Sequence, residues 1–172
     1  VVPAPFVLTS GRRLWETGYA APYEMNSAAT AHGKGPKSTP LAAGGKVYAL
    51  GMTGVLTCVD AASGKVVWRY DSAGKFKTTS PVFGVAASPL LSGTNVIAHV
   101  GTDSDGALTA FDAGSGAVKW MWKGDGPAYS SPVIADIGGA RQIITFSASN
   151  LVSVSPGTGE LLWKLPFTTP YA

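Results

Sequence analysis

One flexible segment of the chain brings several cations close together. The run from His32 to Lys37 reads His-Gly-Lys-Gly-Pro-Lys, and its basic side chains are His32, Lys34 and Lys37. Two lysines, a histidine and accessible backbone N–H groups could hold a carboxylate-rich ligand. The run belongs to a long segment, 18–37, without a strand pattern, and such loops in compact domains are often functional. The alternative is a solvated crossing loop, and the spacing of a Walker phosphate loop is absent.

A second candidate site is the run Thr-Asp-Ser-Asp-Gly at 102–106, in which Asp103 and Asp105 could begin a calcium loop. Calcium takes six to eight oxygen ligands, usually including a bidentate acid further along the chain. Eleven residues after Asp103 stands Gly114, so the EF-hand pattern fails. The alternative is a hairpin turn in which Asp-Gly supplies the bend.

Four other residues are weaker candidates. His99 lies in an apolar strand, which favours a core or channel-lining histidine bonded to backbone over a ligand-binding one. Arg141 could face a central axis, although an arginine at a hairpin tip is the simpler interpretation. Trp122 could stack on a planar ligand, but packing is more common. Cys58 lies in an apolar run, which favours burial. Because it is the single cysteine, the chain cannot form an intrachain disulfide.

The composition excludes several classes of protein. The 172 residues are 45% hydrophobic and 13% charged, with 22 glycines and 12 prolines, which favours many short strands over disorder. A net charge of +3 without a Lys/Arg run argues against nucleic-acid binding. Glycine, proline and polar residues interrupt the most apolar stretch, 82–100, so no transmembrane segment is expected. The chain opens in mid-pattern without a signal peptide, which suggests part of something longer.

The elements that position these residues repeat along the chain. A motif of a small residue, glycine, three variable residues and tryptophan occurs four times, at intervals of 53, 52 and 43 residues. Its glycines and tryptophans are Gly11 with Trp15, Gly64 with Trp68, Gly116 with Trp120, and Gly159 with Trp163. Asp60 and Asp112 stand eight residues before the second and third tryptophans.

The motif has a plain physical reading. The aspartate or serine accepts backbone N–H bonds, and the glycine takes the positive φ that the turn needs. The tryptophan then opens the last strand of the unit, where a large planar ring can wedge against a neighbouring unit. We therefore assign a structural, unit-docking role to Asp60, Gly64, Trp68, Asp112, Gly116, Trp120, Gly159, Trp163 and Trp15.

Each unit contains four short strands, which is typical of a β-propeller blade. Serine-proline or threonine-proline opens each unit, and three strand-like runs follow, the last carrying tryptophan. The sequence predicts one partial, all-β propeller domain over 1–172, with three four-stranded antiparallel blades plus part of a fourth. The approximate blade ranges are 6–17 (partial), 37–72, 80–123 and 129–166. An open ring exposes strand edges, so we expect completion by further blades of a longer protein or by a second copy.

The repeat around Cys-Val-Asp-Ala-Ala-Ser-Gly-Lys-Val-Val-Trp (58–68), with its counterpart at 110–120, resembles the pyrroloquinoline-quinone (PQQ) repeat of eight-bladed quinoprotein alcohol dehydrogenases. Non-enzymatic relatives, such as the lipoprotein scaffold of outer-membrane protein assembly, share it. The His32–Pro40 run and the segment beginning at Tyr129 are similar to a bacterial group of PQQ-like repeat proteins. The resemblance implies an eight-bladed ring, which two copies of this chain could complete as a homodimer.

Two functions follow from the resemblance. The first is a binding or scaffolding module in the periplasm or cell envelope of a bacterium, with a protein partner. The alternative is part of a PQQ- and Ca²⁺-dependent dehydrogenase oxidising an alcohol or sugar. The adjacent cysteines of many such enzymes are absent, which favours the scaffold. If PQQ binds, we expect His32, Lys34, Lys37, Tyr129 and Arg141 to contact it, with Asp103 and Asp105 as the calcium candidates.

Overall fold

The protein is built almost entirely of β-strands. A computed structural model describes Pro5 and residues 9–72, 74–76, 82–102 and 104–168. Its strands form three four-stranded antiparallel sheets, and within each sheet every strand pairs with the next along the chain. This confirms the prediction of an all-β fold made of four-stranded blades. Within the described ranges, no helix has the length and apolar character needed to cross a membrane.

The three sheets follow one another along the chain as blades 1, 2 and 3. The strands of blade 1 are β1 (Leu41–Ala43), β2 (Lys46–Leu50), β3 (Val55–Asp60) and β4 (Val66–Asp71). The strands of blade 2 are β5 (Leu90–Ser92), β6 (Asn95–Gly101), β7 (Gly106–Asp112) and β8 (Val118–Trp122). The strands of blade 3 are β9 (Val133–Ile137), β10 (Ala140–Phe146), β11 (Asn150–Val154) and β12 (Leu161–Pro166).

The same local devices shape each blade. The first hairpin of blade 1 turns through Gly44 and Gly45, whose φ angles of 55° and 72° only glycine adopts freely. The third strand of every blade carries a register shift against the fourth, beside the residue that pairs with the motif tryptophan. A bulge at this point increases the local twist of the outer strand.

Hydrophobic side chains fill the spaces between blades. One face of blade 1, including Leu56 and Cys58, packs against Val96 and Phe111 of blade 2. The opposite face of blade 2 packs against Ile143 and Val154 of blade 3. Because one blade cannot bury both faces alone, stacking of neighbours supplies the core. Cys58 is fully buried there, as the apolar run around it predicts.

Each blade has two ends. At one end, here called the turn face, the β1–β2 and β3–β4 turns meet, and Ala61 N–H donates to Gly45 O at 2.9 Å. At the other end, the loop face, the middle turn of each blade meets the segments that connect blades. There Val85 N–H donates to Met52 O at 2.9 Å, and Ala148 N–H donates to Gly126 O at 3.0 Å.

The long segment before blade 1 contains a short 3₁₀ helix, Ser27–His32, where the sequence predicts no regular structure. Asn26 caps it, because its Oδ1 accepts the Ala28 N–H at 3.0 Å. Ala29 is the buried residue of the helix. The capping signal is local, and six residues are too few to show a helical period in the sequence.

The predicted remnant of a fourth blade lies beside blade 1. Residues 6–8 of that remnant fall outside the described residues. Leu14 N–H donates to Pro5 O at 3.0 Å. Thr17 Oγ1 donates to the Gly64 carbonyl at 2.6 Å, so the described part packs on the turn face of blade 1.

Candidate functional site

The motif turns are closed by their first residue. The Oδ1 of Asp60 accepts Ser63 N–H at 2.8 Å and Ser63 Oγ–H at 2.7 Å, and its carbonyl accepts Gly64 N–H. Asp112 does the same for Ser115 in blade 2. Hydrogen bonds to Ser63 lower the pKa of Asp60. The turn therefore favours the charged aspartate.

Each turn then receives the tryptophan of the preceding blade. A Cβ built on Gly64 would lie 2.6 Å from the Trp15 ring, and one on Gly116 would lie 2.6 Å from Trp68. The two indole N–H groups donate to the carbonyls of Ala61 and Ala113, at 2.9 Å and 3.2 Å. The ring needs the bare glycine backbone, because any side chain would occupy the same space.

The contact between blades 2 and 3 repeats this arrangement, and the fourth motif tryptophan departs from it. Trp120 covers Gly159, and its Nε1–H donates to Pro156 O at 3.0 Å. Trp163 instead donates its Nε1–H to Oε1 of Gln142, in its own blade, at 2.8 Å. The residues described after Trp163 include no fifth motif turn.

A second set of hydrogen bonds between blades lies just before the first strand of each blade. Thr39 N–H donates to Ser88 Oγ at 2.9 Å, and Ser88 N–H donates to Ser131 Oγ at 2.8 Å. Each of these residues precedes a proline. The serine-proline signal that opens each unit in the sequence thus also links neighbouring blades.

Residues from three distant segments meet on the loop face. The ring of Phe83 lies 5.3 Å from His32 and 5.5 Å from Tyr129, both in edge contacts. Nζ of Lys37 lies 5.5 Å from the Phe83 centroid, within cation–π range, and Phe83 N–H donates to Tyr129 Oη at 3.3 Å. We call His32, Lys37, Phe83 and Tyr129 the loop-face cluster. Three of its four members were candidates from sequence.

The other two ligand candidates lie apart from this cluster. Lys34 is exposed beside it, between His32 and Lys37. Arg141 lies on the turn face, at the start of β10, where its guanidinium pairs with Asp136 at 3.2 Å. Tyr129 belongs to the loop face, beyond the opposite end of β10. The seven residues of β10 at about 3.3 Å per residue therefore separate Arg141 from the cluster.

Asp105 lies in the turn between β6 and β7. Its carbonyl accepts Thr102 N–H at 3.0 Å, and its N–H donates to Thr102 Oγ1 at 3.1 Å, so its backbone closes the hairpin. Asp103, the other calcium candidate, falls outside the described residues. Across the described ranges, no three side chains of His, Cys, Asp or Glu gather as metal ligands.

A buried polar contact joins blades 2 and 3. His99 is 1% exposed, and its Nε2 lies 3.1 Å from the carbonyl of Asp125. The Asp125 carboxylate accepts hydrogen bonds from Ser147 Oγ at 2.7 Å and Asn150 Nδ2 at 2.9 Å. Asp125 therefore binds blade 2 through its backbone and blade 3 through its side chain.

Sequence reasoning missed Phe83, Asp125 and Gln142. Phe83 stands in a segment without a motif, and nothing in its neighbours marks it as a contact of His32 and Lys37. Asp125 lies in Gly-Asp-Gly, a pattern that signals a turn and no more. Gln142 is the third residue of β10, at the position where the other blades have Lys46 and Asn95, and this difference was the available signal.

Comparison with known proteins agrees with the repeat geometry. A family model described as outer membrane protein assembly factor BamB matches residues 5–171. A quinohemoprotein alcohol dehydrogenase, ADH IIB of Pseudomonas putida, is 35% identical over 151 residues, covering 80% of this chain and 21% of that protein. The assembly factor BamB of Burkholderia pseudomallei is 26% identical over 172 residues, covering 80% of this chain and 45% of that protein.

Solved structures show the same fold. The quinohemoprotein alcohol dehydrogenase of Comamonas testosteroni matches 95% of this chain and 32% of its own, with a TM-score of 0.70 and 20% identity. BamB of Moraxella catarrhalis matches 96% of this chain and 46% of its own, with a TM-score of 0.68 and 18% identity. The chain spans less than half the length of each of these relatives. Because the family model covers nearly every residue, the chain belongs to the PQQ-repeat family described as outer membrane protein assembly factor BamB.

Proposed function

We propose that this chain is part of a PQQ-repeat propeller that holds a protein partner in the bacterial cell envelope. The observation that carries the proposal is the loop-face cluster, where the Lys37 ammonium group, an imidazole and two aromatic rings from separate segments meet at the surface. Relatives named as outer membrane protein assembly factors support both the scaffolding role and the compartment.

The cluster has the chemistry of a protein contact. Aromatic side chains flanked by charged ones are enriched at interfaces, because rings supply area and charges at the rim supply orientation. Phe83 is held between His32 and Tyr129, so its ring is ordered before a partner arrives. Lys34 and Lys37 add positive charge. The matching partner surface is an acidic segment that carries an apolar or aromatic residue.

The propeller ring needs more blades than the three described here, since propellers contain about four to eight. Further blades of a longer polypeptide or a second copy of this chain would supply them. In either arrangement, the connecting segments of these three blades lie on one side of the ring.

Site-specific photo-crosslinking tests this role. A photoreactive residue at Lys34 lies beside the loop-face cluster, and one at Arg141, 66% exposed on the turn face, is the matched control. We expect the Lys34 probe to form adducts with an outer-membrane assembly protein, identified by mass spectrometry, in a bacterial periplasm. Lys37→Glu should remove those adducts, since it reverses the charge that an acidic segment would meet. Equal adducts from both faces, or none from Lys34, would contradict the proposal.

A second candidate is part of a quinoprotein dehydrogenase, and the 35% identity to the Pseudomonas putida enzyme favours it. The loop-face cluster fits the quinone in donor chemistry, because Lys37, Lys34 and His32 could bind its carboxylates beside the Phe83 ring. Bound PQQ would supply the two-electron oxidation of an alcohol. Arg141 lies on the other face and does not fit this site. The described residues do not gather ligands for calcium.

Native mass spectrometry with PQQ and Ca²⁺ separates the two candidates. Retention of one PQQ per chain or per assembly, lost in Lys37→Glu, would favour the dehydrogenase, and a dye-linked assay should follow. A ligand-free spectrum, together with loop-face adducts from the crosslinking experiment, would favour the scaffold. Arg141→Glu is the control, because it makes the same change of charge away from the cluster.

A further inference from the structure

One side chain in the interface between blades 2 and 3 differs in kind from its counterpart between blades 1 and 2. His99 pairs with Leu108 on the fifth rung of the β6–β7 ladder, and Leu50 pairs with Leu56 on the fifth rung of the β2–β3 ladder. Leu50 is 2% exposed and belongs to the core between blades 1 and 2. The imidazole thus occupies a buried position where the preceding blade has an aliphatic side chain.

The surroundings of His99 satisfy one of its two ring nitrogens. Nε2 lies 3.1 Å from the Asp125 carbonyl, and this contact fixes the proton of the neutral ring on Nε2, because a carbonyl oxygen only accepts. Nδ1 is buried and has no hydrogen-bond partner among the described residues. Protonation would add an N–H at Nδ1, and this donor needs an acceptor that the described residues do not offer.

The charged groups around the imidazole do not compensate for protonation. Burial lowers the pKa of His99, and the opposing effect of Asp125 is smaller. The Asp125 carboxylate is engaged by blade 3, where Ser147 Oγ and Asn150 Nδ2 donate to it. Of the other charged residues described at this end of blade 2, Asp105 lies in the β6–β7 turn and Lys123 is exposed after β8.

The elements packed around this position present neutral side chains. On blade 2, the imidazole shares its face with Leu108, and the Trp122 ring lies 6.5 Å away in an edge contact. On blade 3, Ile143 and Val154 belong to the same interface, and strand alternation places Thr145 on the same face of β10 as Ile143. None of these side chains ionises in mild acid, so the imidazole is the group that acid can charge.

We propose that protonation of His99 opens the interface between blades 2 and 3 in mild acid while the interface between blades 1 and 2 stays closed. The charged ring carries a donor that the closed interface leaves unpaired, whereas water pairs it once the blades separate. Leu50 has no titratable group, so acid does not act on the first interface in this way. The inference goes beyond the proposed partner binding and does not depend on it.

Thiol labelling of two cysteines in one molecule tests this opening. Ala110 stands in blade 2 where blade 1 has Cys58, because each is fully buried and pairs with the motif tryptophan of its blade. In the Ala110→Cys variant, Cys58 reports on the first interface and the introduced thiol on the second. A pyridyl disulfide reagent reacts with thiols in mild acid, and peptide mapping by mass spectrometry gives the two rates separately.

We expect labelling at position 110, relative to the unfolded chain, to accelerate by roughly fiftyfold between about pH 7.5 and about pH 4.5. The open interface binds a proton at the ordinary histidine pKa of 6.5, whereas burial lowers the pKa of His99 to about 4 in the closed one. Cys58 in the same molecules should not accelerate. His99→Gln keeps a donor for the Asp125 carbonyl, and His99→Leu copies Leu50, so both should remove the acceleration.

Val154→Cys is a second reporter, should the thiol at position 110 disturb the packing. Val154 is fully buried on the blade 3 side of the same interface. Cysteine behaves as a small hydrophobic side chain, so the exchange is conservative. The thiol at position 154 should show the same dependence on pH and on His99.

Three outcomes would overturn the proposal. Equal acceleration of both thiols would mean that acid unfolds the whole chain rather than opening one interface. No acceleration at either reporter of the second interface would mean that the closed interface accommodates the charged ring. Acceleration that survives both substitutions of His99 would assign the opening to another group. None of these outcomes affects the loop-face adducts, so failure here is distinct from failure of the scaffold proposal.

Discussion

The ring of Trp68 lies over Gly116 so closely that a Cβ on the glycine would be 2.6 Å from the ring carbon Cδ2. Gly116 also has φ 74°, a backbone conformation that other residues rarely adopt. We expect Gly116→Ala to destabilise the fold by about 2–4 kcal/mol, from backbone strain and overpacking together. Urea denaturation measures this loss.

Gly93→Ala is the control for that prediction. Gly93 has φ 59° but open space around its Cα, so the substitution tests backbone strain alone, at about 1 kcal/mol. If both substitutions cost the same free energy of unfolding, the contact with Trp68 contributes nothing and the docking interpretation is wrong.

Asp125 should matter more to stability than its place in a loop suggests. Asp125→Ala leaves Asn150 Nδ2 and Ser149 N–H without their acceptor, whereas Ser147 Oγ can still donate to Asn150 O at 2.9 Å. We expect a loss of about 1–3 kcal/mol in the free energy of unfolding. Asp136→Ala, which removes an exposed pair with Arg141, should change it by less than about 0.5 kcal/mol. Equal effects in thermal or urea unfolding would contradict the inter-blade role.

Stability should fall as the pH is lowered from about 6.5 toward 4. Burial lowers the pKa of His99 from 6.5 to about 4, against the smaller opposing effect of Asp125. Between these values the unfolded chain binds a proton that the folded chain does not, so acid favours unfolding, by about 3 kcal/mol in all.

His99→Gln removes that titration and keeps a donor for the Asp125 carbonyl. The variant should show a flatter dependence of the urea midpoint on pH over this window. An unchanged slope would rule out His99 as the source of the pH dependence.

Asp125 contributes to the pH dependence of stability at lower pH than His99. Burial raises the pKa of Asp125, but hydrogen bonds from Ser147 and Asn150 outweigh this and lower it. Its contribution to stability is therefore lost only as the pH falls below its unfolded pKa of 3.8.

Cys58 should be unreactive in the folded protein. Its side chain is fully buried, and burial raises the pKa of its thiol to about 11, so little thiolate exists at neutral pH. We expect labelling by a thiol reagent at pH 8 to be slow in buffer and complete within the unfolding transition in urea. Rapid labelling without denaturant would show that the joint between blades 1 and 2 opens readily.

The sequence by itself determined the blade and its repeat. Turns, strand alternation and the spacing of the tryptophans are local properties, so the motifs at Gly64, Gly116 and Gly159 predicted the four-stranded units without coordinates. Membership of the PQQ-repeat family followed from the same residues. The core position of His99 was predicted for a similar reason, since the apolar strand around it is contiguous.

Only the tertiary structure decided which residues meet. Lys37, Phe83 and Tyr129 come from segments about one blade apart, and their contact depends on how blades stack rather than on any local signal. Stacking likewise placed Arg141 on the opposite face and turned Asp125 into a link between blades. It also distinguished Trp163 from its three counterparts, because the Trp163 indole donates to Gln142 of its own blade, a contact that the motif does not encode.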